Sequence, residues 1–199
     1  TSWLLSDRLP RVLGLGTCLM LAALALLHRS GEQRHWAMAL LAALLTVSSA
    51  ALMTAMLQSN FRLAYVAHYT ERALPVGYKL AAFWAGQEGR LLLWSWILVV
   101  MSLIAIVGRR RATGTAHAVA IATLALVCGF FVALMLFAAN PFKVSHVLPA
   151  DGQGLNPMLQ NIGMIAHPPF LFLGYAGFTI PFAFMIGSLV VRRGDNQWV

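Results

Sequence analysis

The residues with the clearest capacity for chemistry are His167, Pro168 and Pro169, where a long polar loop meets the last apolar stretch of the chain. A proline in the first turn of a helix costs little, because the amide it lacks would be unpaired there. The residue before a proline is driven towards extended backbone. The pattern therefore predicts that His167 lies just outside a membrane helix and presents an imidazole nitrogen as a ligand at the membrane–water boundary.

The other five histidines are weaker candidates for a ligand. His68 and His146 lie in the long loops and remain candidates. Three more lie at the span ends that face the short connections, where an amphipathic ring is common: His28, His35 and His117. The sequence contains no zinc-protease, nucleotide-binding or serine-hydrolase motif and no Cys-x-x-Cys pair. Any reaction would therefore use a cofactor to supply its chemistry.

The composition places these residues in a membrane protein. Of 199 residues, 60% are hydrophobic and 10% are charged, against about 25% charged in a soluble domain. The net charge of +8 comes from basic residues at the ends of apolar spans. They are better explained as topology signals and contacts with membrane lipid than as a phosphate-binding surface, so we predict no nucleic acid partner.

Five apolar runs are long enough to cross a bilayer as helices, and they lack the alternation of barrel strands. They cover about 9–27, 36–57, 91–107, 119–139 and 170–191. We see no internal repeat, linker or soluble domain. The sequence therefore predicts an all-α fold, a polytopic membrane helix bundle of about five transmembrane helices, with residues 1–199 as a single membrane domain.

Two of the connections are long, about 58–90 and 140–167, and the others are short. Arginines are densest in the short ones, including the run 109–111, which predicts that the short connections face the cytoplasm and the two long loops face outward. A short interfacial helix is predicted at 75–84, and another after Asn156 and Pro157, an N-cap followed by proline. Glu88 is predicted to favour the N-terminus of the third span through the helix dipole.

Several stretches together resemble one family. They are LPVGYK at 74–79, WAGQEGRLLLW at 84–94, NPF at 140–142, DGQGLNPMLQ at 151–160, HPP at 167–169 and GYAGF at 174–178. In this order they are similar to the N-terminal part of the CcmF/NrfE cytochrome c haem lyases. The resemblance covers essentially the whole chain, and 151–178 is its most specific part.

The resemblance implies a function in cytochrome c biogenesis. The family attaches haem b to the Cys-x-x-Cys-His segment of an apocytochrome c at the outer, periplasmic face of the bacterial inner membrane. By resemblance, His167 is an axial ligand of the haem iron, and Arg90 is a candidate contact for a haem propionate. The implied partners are apocytochrome c, a CcmE-like haem chaperone and a CcmH-like thiol subunit.

The chain also departs from the family pattern. Arg90 stands where the family usually has serine, and Gly77 stands where a bulkier residue is common. The family's tryptophan-rich haem-binding segment and second external histidine lie downstream of the matched part. We therefore expect an N-terminal fragment of a larger lyase or one piece of a split protein, which alone supplies half of a bis-histidine site.

Two other classes stay open at this point. One is a haem- or quinone-binding anchor subunit of a respiratory complex, which predicts a histidine pair on facing helices. The other is a transporter segment, which predicts broken helices or charges within the membrane. The sequence does not distinguish CcmF from NrfE type, nor the cytochrome c that would be the substrate.

Overall fold

The computed structural model describes residues 31–109, 114–145 and 148–191. Within them every regular element is helical, and one isolated antiparallel bridge joins Leu63 to Val144. The helices are α1 Gly31–Leu57, α2 Ala64–Tyr69, α3 Val76–Ala82, α4 Gln87–Gly108, α5 Thr115–Phe137 and α6 Ile162–Val191, with a 3₁₀ turn at Pro157–Leu159 before α6. The predicted span 9–27 lies outside the described residues.

Four of these helices contain stretches that are long and apolar enough to cross a membrane. The stretches are His35–Leu57, Gln87–Gly108, Thr115–Phe137 and Ile165–Val191. They correspond to the second to fifth predicted spans, although α4, α5 and α6 each begin several residues earlier than predicted. The prediction of an all-α polytopic membrane bundle is confirmed.

Helix α4 is central to the packing, because it contacts α1, α5 and α6. Its side chains Leu92, Leu98, Val99 and Ile106 are fully buried. Helices α5 and α6 lie close together at Gly187, where an added Cβ would collide with the backbone of Ala116. Close approach at small residues is the usual way for helices to associate in lipid, where apolar burial alone gives little advantage.

The predicted short helices are present in the long loops. Helix α3 lies within the predicted range 75–84 and packs against α1 and α6. At the 3₁₀ turn the side chain of Asn156 accepts a hydrogen bond of 3.0 Å from the Met158 N–H, with Pro157 at the first position. The N-cap prediction is therefore confirmed. Helix α2 was not predicted.

One local prediction about His167 was wrong. The residue lies inside α6, with Pro168 and Pro169 following it in the same helix, and not in extended backbone before the helix. The proline bias against helix at the preceding residue is a preference, and membrane helices tolerate prolines because other groups satisfy the freed carbonyls. The five residues Ile162–Ala166 therefore form helix ahead of His167.

The early start of α6 bears on how deep His167 can lie in the membrane. The helix has 30 residues, about 45 Å at 1.5 Å per residue, whereas the hydrocarbon core is about 30 Å thick. Arg192 and Arg193 follow its C-terminus in the sequence and favour the headgroup region at that end. The helix is therefore longer than the hydrocarbon core is thick, and the boundary position of His167 stays a prediction.

Candidate functional site

The imidazole of His167 is exposed on the surface of α6. Residues four before, four after and seven after it on a helix share its face. These are Gly163, Leu171 and Gly174, and all three are exposed. The imidazole therefore stands on an apolar strip with little side-chain bulk around it.

An aromatic cluster fixes the part of α6 that follows His167. The Trp94 ring of α4 lies 4.5 Å from the Phe131 ring of α5, 5.5 Å from Phe172 and 5.7 Å from Tyr175. Phe172 and Tyr175 belong to α6, within about two turns of His167. Three membrane helices are thus joined by ring contacts within about two turns of His167.

The two long loops form one structure. Loop A (58–86) and loop B (138–161) are connected by backbone hydrogen bonds at both ends of α2. They join Ala64 N to Lys143 O at 2.8 Å, Ser145 N to Arg62 O at 2.8 Å, Gln153 N to Ala67 O at 2.8 Å and Gly154 N to Thr70 O at 3.2 Å. A side-chain bond also joins the loops: Asp151 Oδ1 accepts from the Arg72 N–H at 3.0 Å. The same oxygen accepts locally from the Gly152 N–H at 2.8 Å.

Tyr65 of α2 connects loop A to the start of α4. Its hydroxyl donates towards the carbonyls of Phe83 at 3.0 Å and Ala82 at 3.2 Å, and accepts from the Gly86 N–H at 3.0 Å. An added Cβ at Gly86 would overlap the rings of Tyr69 and Tyr65, and one at Gly89 would overlap the Phe83 carbonyl and the Tyr65 phenol. Burial raises the pKa of Tyr65 well above its ordinary value, so the phenol stays neutral and able to donate.

Arg90 is occupied by the turn that precedes α4. Its Nε donates to Gly86 O and its Nη2 to Ala85 O, both at 3.2 Å. The residue is exposed. Glu88 lies in the first turn of α4, as predicted, although Gly86 is the N-cap and no side chain caps the helix. The two predicted site residues thus lie on different helices: Arg90 bonds to the turn before α4, and His167 projects from α6.

The remaining histidines are dispersed. His68 is exposed and packs edge-on against the Tyr69 ring at 4.6 Å. His117 lies beside Phe184 at the other end of the bundle, with ring centroids 5.9 Å apart. His35 Nε2 is a buried atom with no hydrogen-bond partner. His28 and His146 lie outside the described residues, and among the described ones no three histidine, cysteine or acidic side chains converge as a metal site.

Sequence reasoning missed the residues that hold the loops together. Neither Tyr65 nor Asp151 was among the predicted site residues, and the hydrogen bond from the Arg72 N–H to Asp151 joins positions 79 residues apart. The available signal was glycine at 86 and 89, since two glycines at a helix start indicate close approach by another group. That signal does not identify the approaching group.

These features define a multi-pass membrane protein whose two long loops are bonded into one unit and whose α6 carries an exposed imidazole. Residues 84–198 match the model of a family described as cytochrome C assembly protein, and the chain belongs to that family. The resemblance to the N-terminal portion of the CcmF/NrfE proteins is thereby confirmed.

Individual relatives agree with this assignment. CcmF of Haemophilus influenzae is 37% identical over 155 residues, 77% of this chain and 24% of that protein. CcmF of Escherichia coli is 35% identical over 193 residues, 94% and 30% of the two chains. NrfE of Haemophilus influenzae is 38% identical over 138 residues, 69% and 22% of the two.

A solved structure shows the same fold. It bears the name Cytochrome c Heme Lyase CcmF and superposes with a TM-score of 0.75 at 29% identity, covering 100% of this chain and 32% of that one. The chain therefore spans between about a fifth and a third of the length of the proteins it matches.

Proposed function

We propose that this chain is the haem-holding segment of a cytochrome c haem lyase. It holds haem b at the periplasmic face of the bacterial inner membrane, where the haem is attached to the Cys-x-x-Cys-His segment of an apocytochrome c. The observation that carries the proposal is the exposed imidazole of His167, mounted on an apolar helix of 30 residues. Family membership favours this function over an anchor subunit or a transporter segment.

The residues around His167 fit a haem. A neutral imidazole is a standard axial ligand of haem iron. The neighbouring positions Gly163, Leu171 and Gly174 are apolar, and an added Cβ at Gly174 would meet nothing within 4 Å. A flat, largely apolar macrocycle can therefore approach this face without displacing a packed side chain. His167 would hold the iron, and Phe170, 72% exposed in the next turn, would contact the ring.

The chain contributes binding and positioning to the reaction. Haem, when bound, supplies the vinyl groups across which the thiols of the apocytochrome add to form thioethers. The substrate carries both thiols, so the protein needs no nucleophile of its own. The aromatic cluster around Trp94 keeps the His167 turn fixed, and holding reactants in attack geometry can contribute up to about 7–11 kcal/mol.

Arg90 is proposed as a contact for a haem propionate. Its two bonds to the carbonyls of Ala85 and Gly86 orient the guanidinium at the membrane surface. A guanidinium has five N–H donors, so the bonds to the turn leave donors for a carboxylate. Family membership supports a CcmE-like haem chaperone and a CcmH-like thiol subunit as the partners that deliver haem and apocytochrome c.

Visible spectroscopy of the full-length protein, purified in detergent, tests the haem proposal, because a second axial ligand is expected outside residues 1–199. The wild type is expected to show a low-spin haem b spectrum when reduced. His167→Ala is expected to lose the haem or convert it to high-spin, because the iron loses an axial ligand. His68→Ala is the matched control, since His68 is also exposed and lies in loop A. An unchanged spectrum in His167→Ala would remove His167 from the site.

A further inference from the structure

The geometry points to Gly163 as the residue that gives a flat cofactor access to the His167 imidazole. The inference rests on the proposed function and concerns the same site. Gly163 lies four residues before His167 in α6, and both residues are exposed. Positions four apart are neighbours on one helix face, with Cβ atoms about 5–6 Å apart.

The direction of helical side chains makes position 163 more important than the positions after His167. Each Cα–Cβ bond in a helix is tilted towards the N-terminus, so a side chain covers the turn before its own Cα. The His167 imidazole therefore leans over the turn that contains Gly163. A side chain at position 163 would stand beside the ring, where a ligand on its outer nitrogen must fit.

The backbone gives no other reason for glycine at this position. Gly163 is not among the described glycines with positive φ, which are Gly114 and Gly154. In an exposed helical position glycine is less favourable than alanine by up to about 1 kcal/mol. The feature that glycine supplies here is therefore the missing side chain.

The surroundings limit where a larger side chain could go. An added Cβ at position 163 would lie 3.0 Å from Asn161 Oδ1, which is tighter than ordinary contact. Asn161 is itself held, because its Nδ2 donates to the Met158 carbonyl at 3.0 Å. A larger side chain at 163 must therefore turn away from Asn161, on the exposed face that position 163 shares with His167.

The test compares Gly163→Leu with Gly163→Ala and with Gly129→Leu in the purified protein. Gly129 lies on α5, where an added Cβ meets nothing within 4 Å, so it controls for placing leucine on a membrane helix. Two quantities are measured: low-spin haem per protein, and the rate at which diethyl pyrocarbonate modifies His167 in haem-free protein, followed by mass spectrometry of the peptide. Modification of His68 in the same sample reports on reagent access in general.

We expect Gly163→Leu to lower haem content and the His167 modification rate by about tenfold, equivalent to about 1.4 kcal/mol. Gly129→Leu should stay near the wild type, and Gly163→Ala should fall between these two variants because a methyl group is a smaller obstacle than leucine. An unchanged His167 modification rate in Gly163→Leu, or an equal fall in Gly129→Leu, would overturn the inference. If His167→Ala keeps its low-spin spectrum, the proposed haem site fails, whereas slower modification of His167 in Gly163→Leu would still support control of access.

Discussion

The Tyr65 hydroxyl and the Gly86 backbone N–H lie 3.0 Å apart, and this bond ties α2 to the turn that begins α4. The same hydroxyl faces the carbonyls that end α3. One phenol thus satisfies polar groups from two segments of loop A at a buried position. Since loop B is bonded to α2, its placement also depends on this phenol.

Tyr65→Phe is expected to destabilise the fold. The substitution keeps the ring but leaves the Gly86 N–H and the α3 carbonyls without their buried partner, which costs about 1–3 kcal/mol. Thermal unfolding in detergent measures the change. Tyr78→Phe, on the half-buried ring of α3, is the matched control. Equal stability of the two variants would contradict the role given to the Tyr65 hydroxyl.

Alkaline pH should weaken the same connection. Burial raises the pKa of Tyr65 in the folded protein above its unfolded value of about 10. The stabilisation from the neutral phenol is therefore present in full below pH 10 and falls as the pH rises above it, because the unfolded chain then ionises more readily. Unfolding of wild type and Tyr65→Phe measured from pH 8 to 11 should converge at the alkaline end. A constant difference would argue against titration of Tyr65.

Gly89→Ala should be strongly destabilising. An added Cβ at this position would overlap the Phe83 carbonyl and lie 2.9 Å from the Tyr65 ring. The backbone must shift, because neither neighbour is the far end of a flexible side chain. Gly77→Ala on α3, where a Cβ has open space, is the control and should be neutral. A melting temperature for Gly89→Ala equal to that of Gly77→Ala would show that the turn relaxes freely.

Asp151 should control how tightly loop B is attached to loop A. Asp151→Ala removes the acceptor for the Arg72 and Gly152 N–H groups, whereas Asp151→Asn keeps an oxygen at the same place. Hydrogen exchange of the peptides containing these two amides is expected to accelerate in the alanine variant and much less in the asparagine variant. Unchanged exchange in Asp151→Ala would mean that the backbone bonds of the loops suffice without it.

The membrane spans could be predicted from the sequence better than the arrangement of the candidate site. Apolar length determines whether a segment can cross a bilayer, so the four described spans were located correctly. The N-cap at Asn156 was also predicted, because the capping oxygen and the capped amide are two residues apart. These features depend on neighbouring residues only, and the sequence displays them directly.

The errors arose where distant residues or competing preferences decide the structure. The prolines after His167 predicted a helix that starts at 170, but residues Ile162–Ala166 are also helical, so α6 starts eight residues earlier. The bond between Asp151 and Arg72 joins residues from different loops, and no local pattern encodes it. The structure shows that His167 is exposed and lies within a helix, whereas its role as a ligand at the membrane boundary stays a prediction.

The aromatic cluster around Trp94 is expected to stabilise the packing of the helices near His167. Trp94→Leu removes the ring that contacts Phe131, Phe172 and Tyr175, and thus the aromatic connection between α4, α5 and α6. In lipid, helix association depends on such packing, and the loss of a large aromatic ring from a packed site costs about 3–5 kcal/mol in soluble proteins. We expect a smaller but clear loss of stability in mixed micelles, because half-buried Trp94 has less contact to lose.

Trp36→Leu is the control for that experiment, since Trp36 is 71% exposed on α1 and should tolerate the change. The haem site provides a second measurement. If the aromatic cluster fixes the His167 turn, Trp94→Leu should broaden the low-spin haem signal in electron paramagnetic resonance, because the imidazole samples more orientations. Trp36→Leu should leave the signal sharp. A sharp signal in both variants, together with lower stability of Trp94→Leu, would mean that the cluster stabilises the fold but does not fix the orientation of the imidazole.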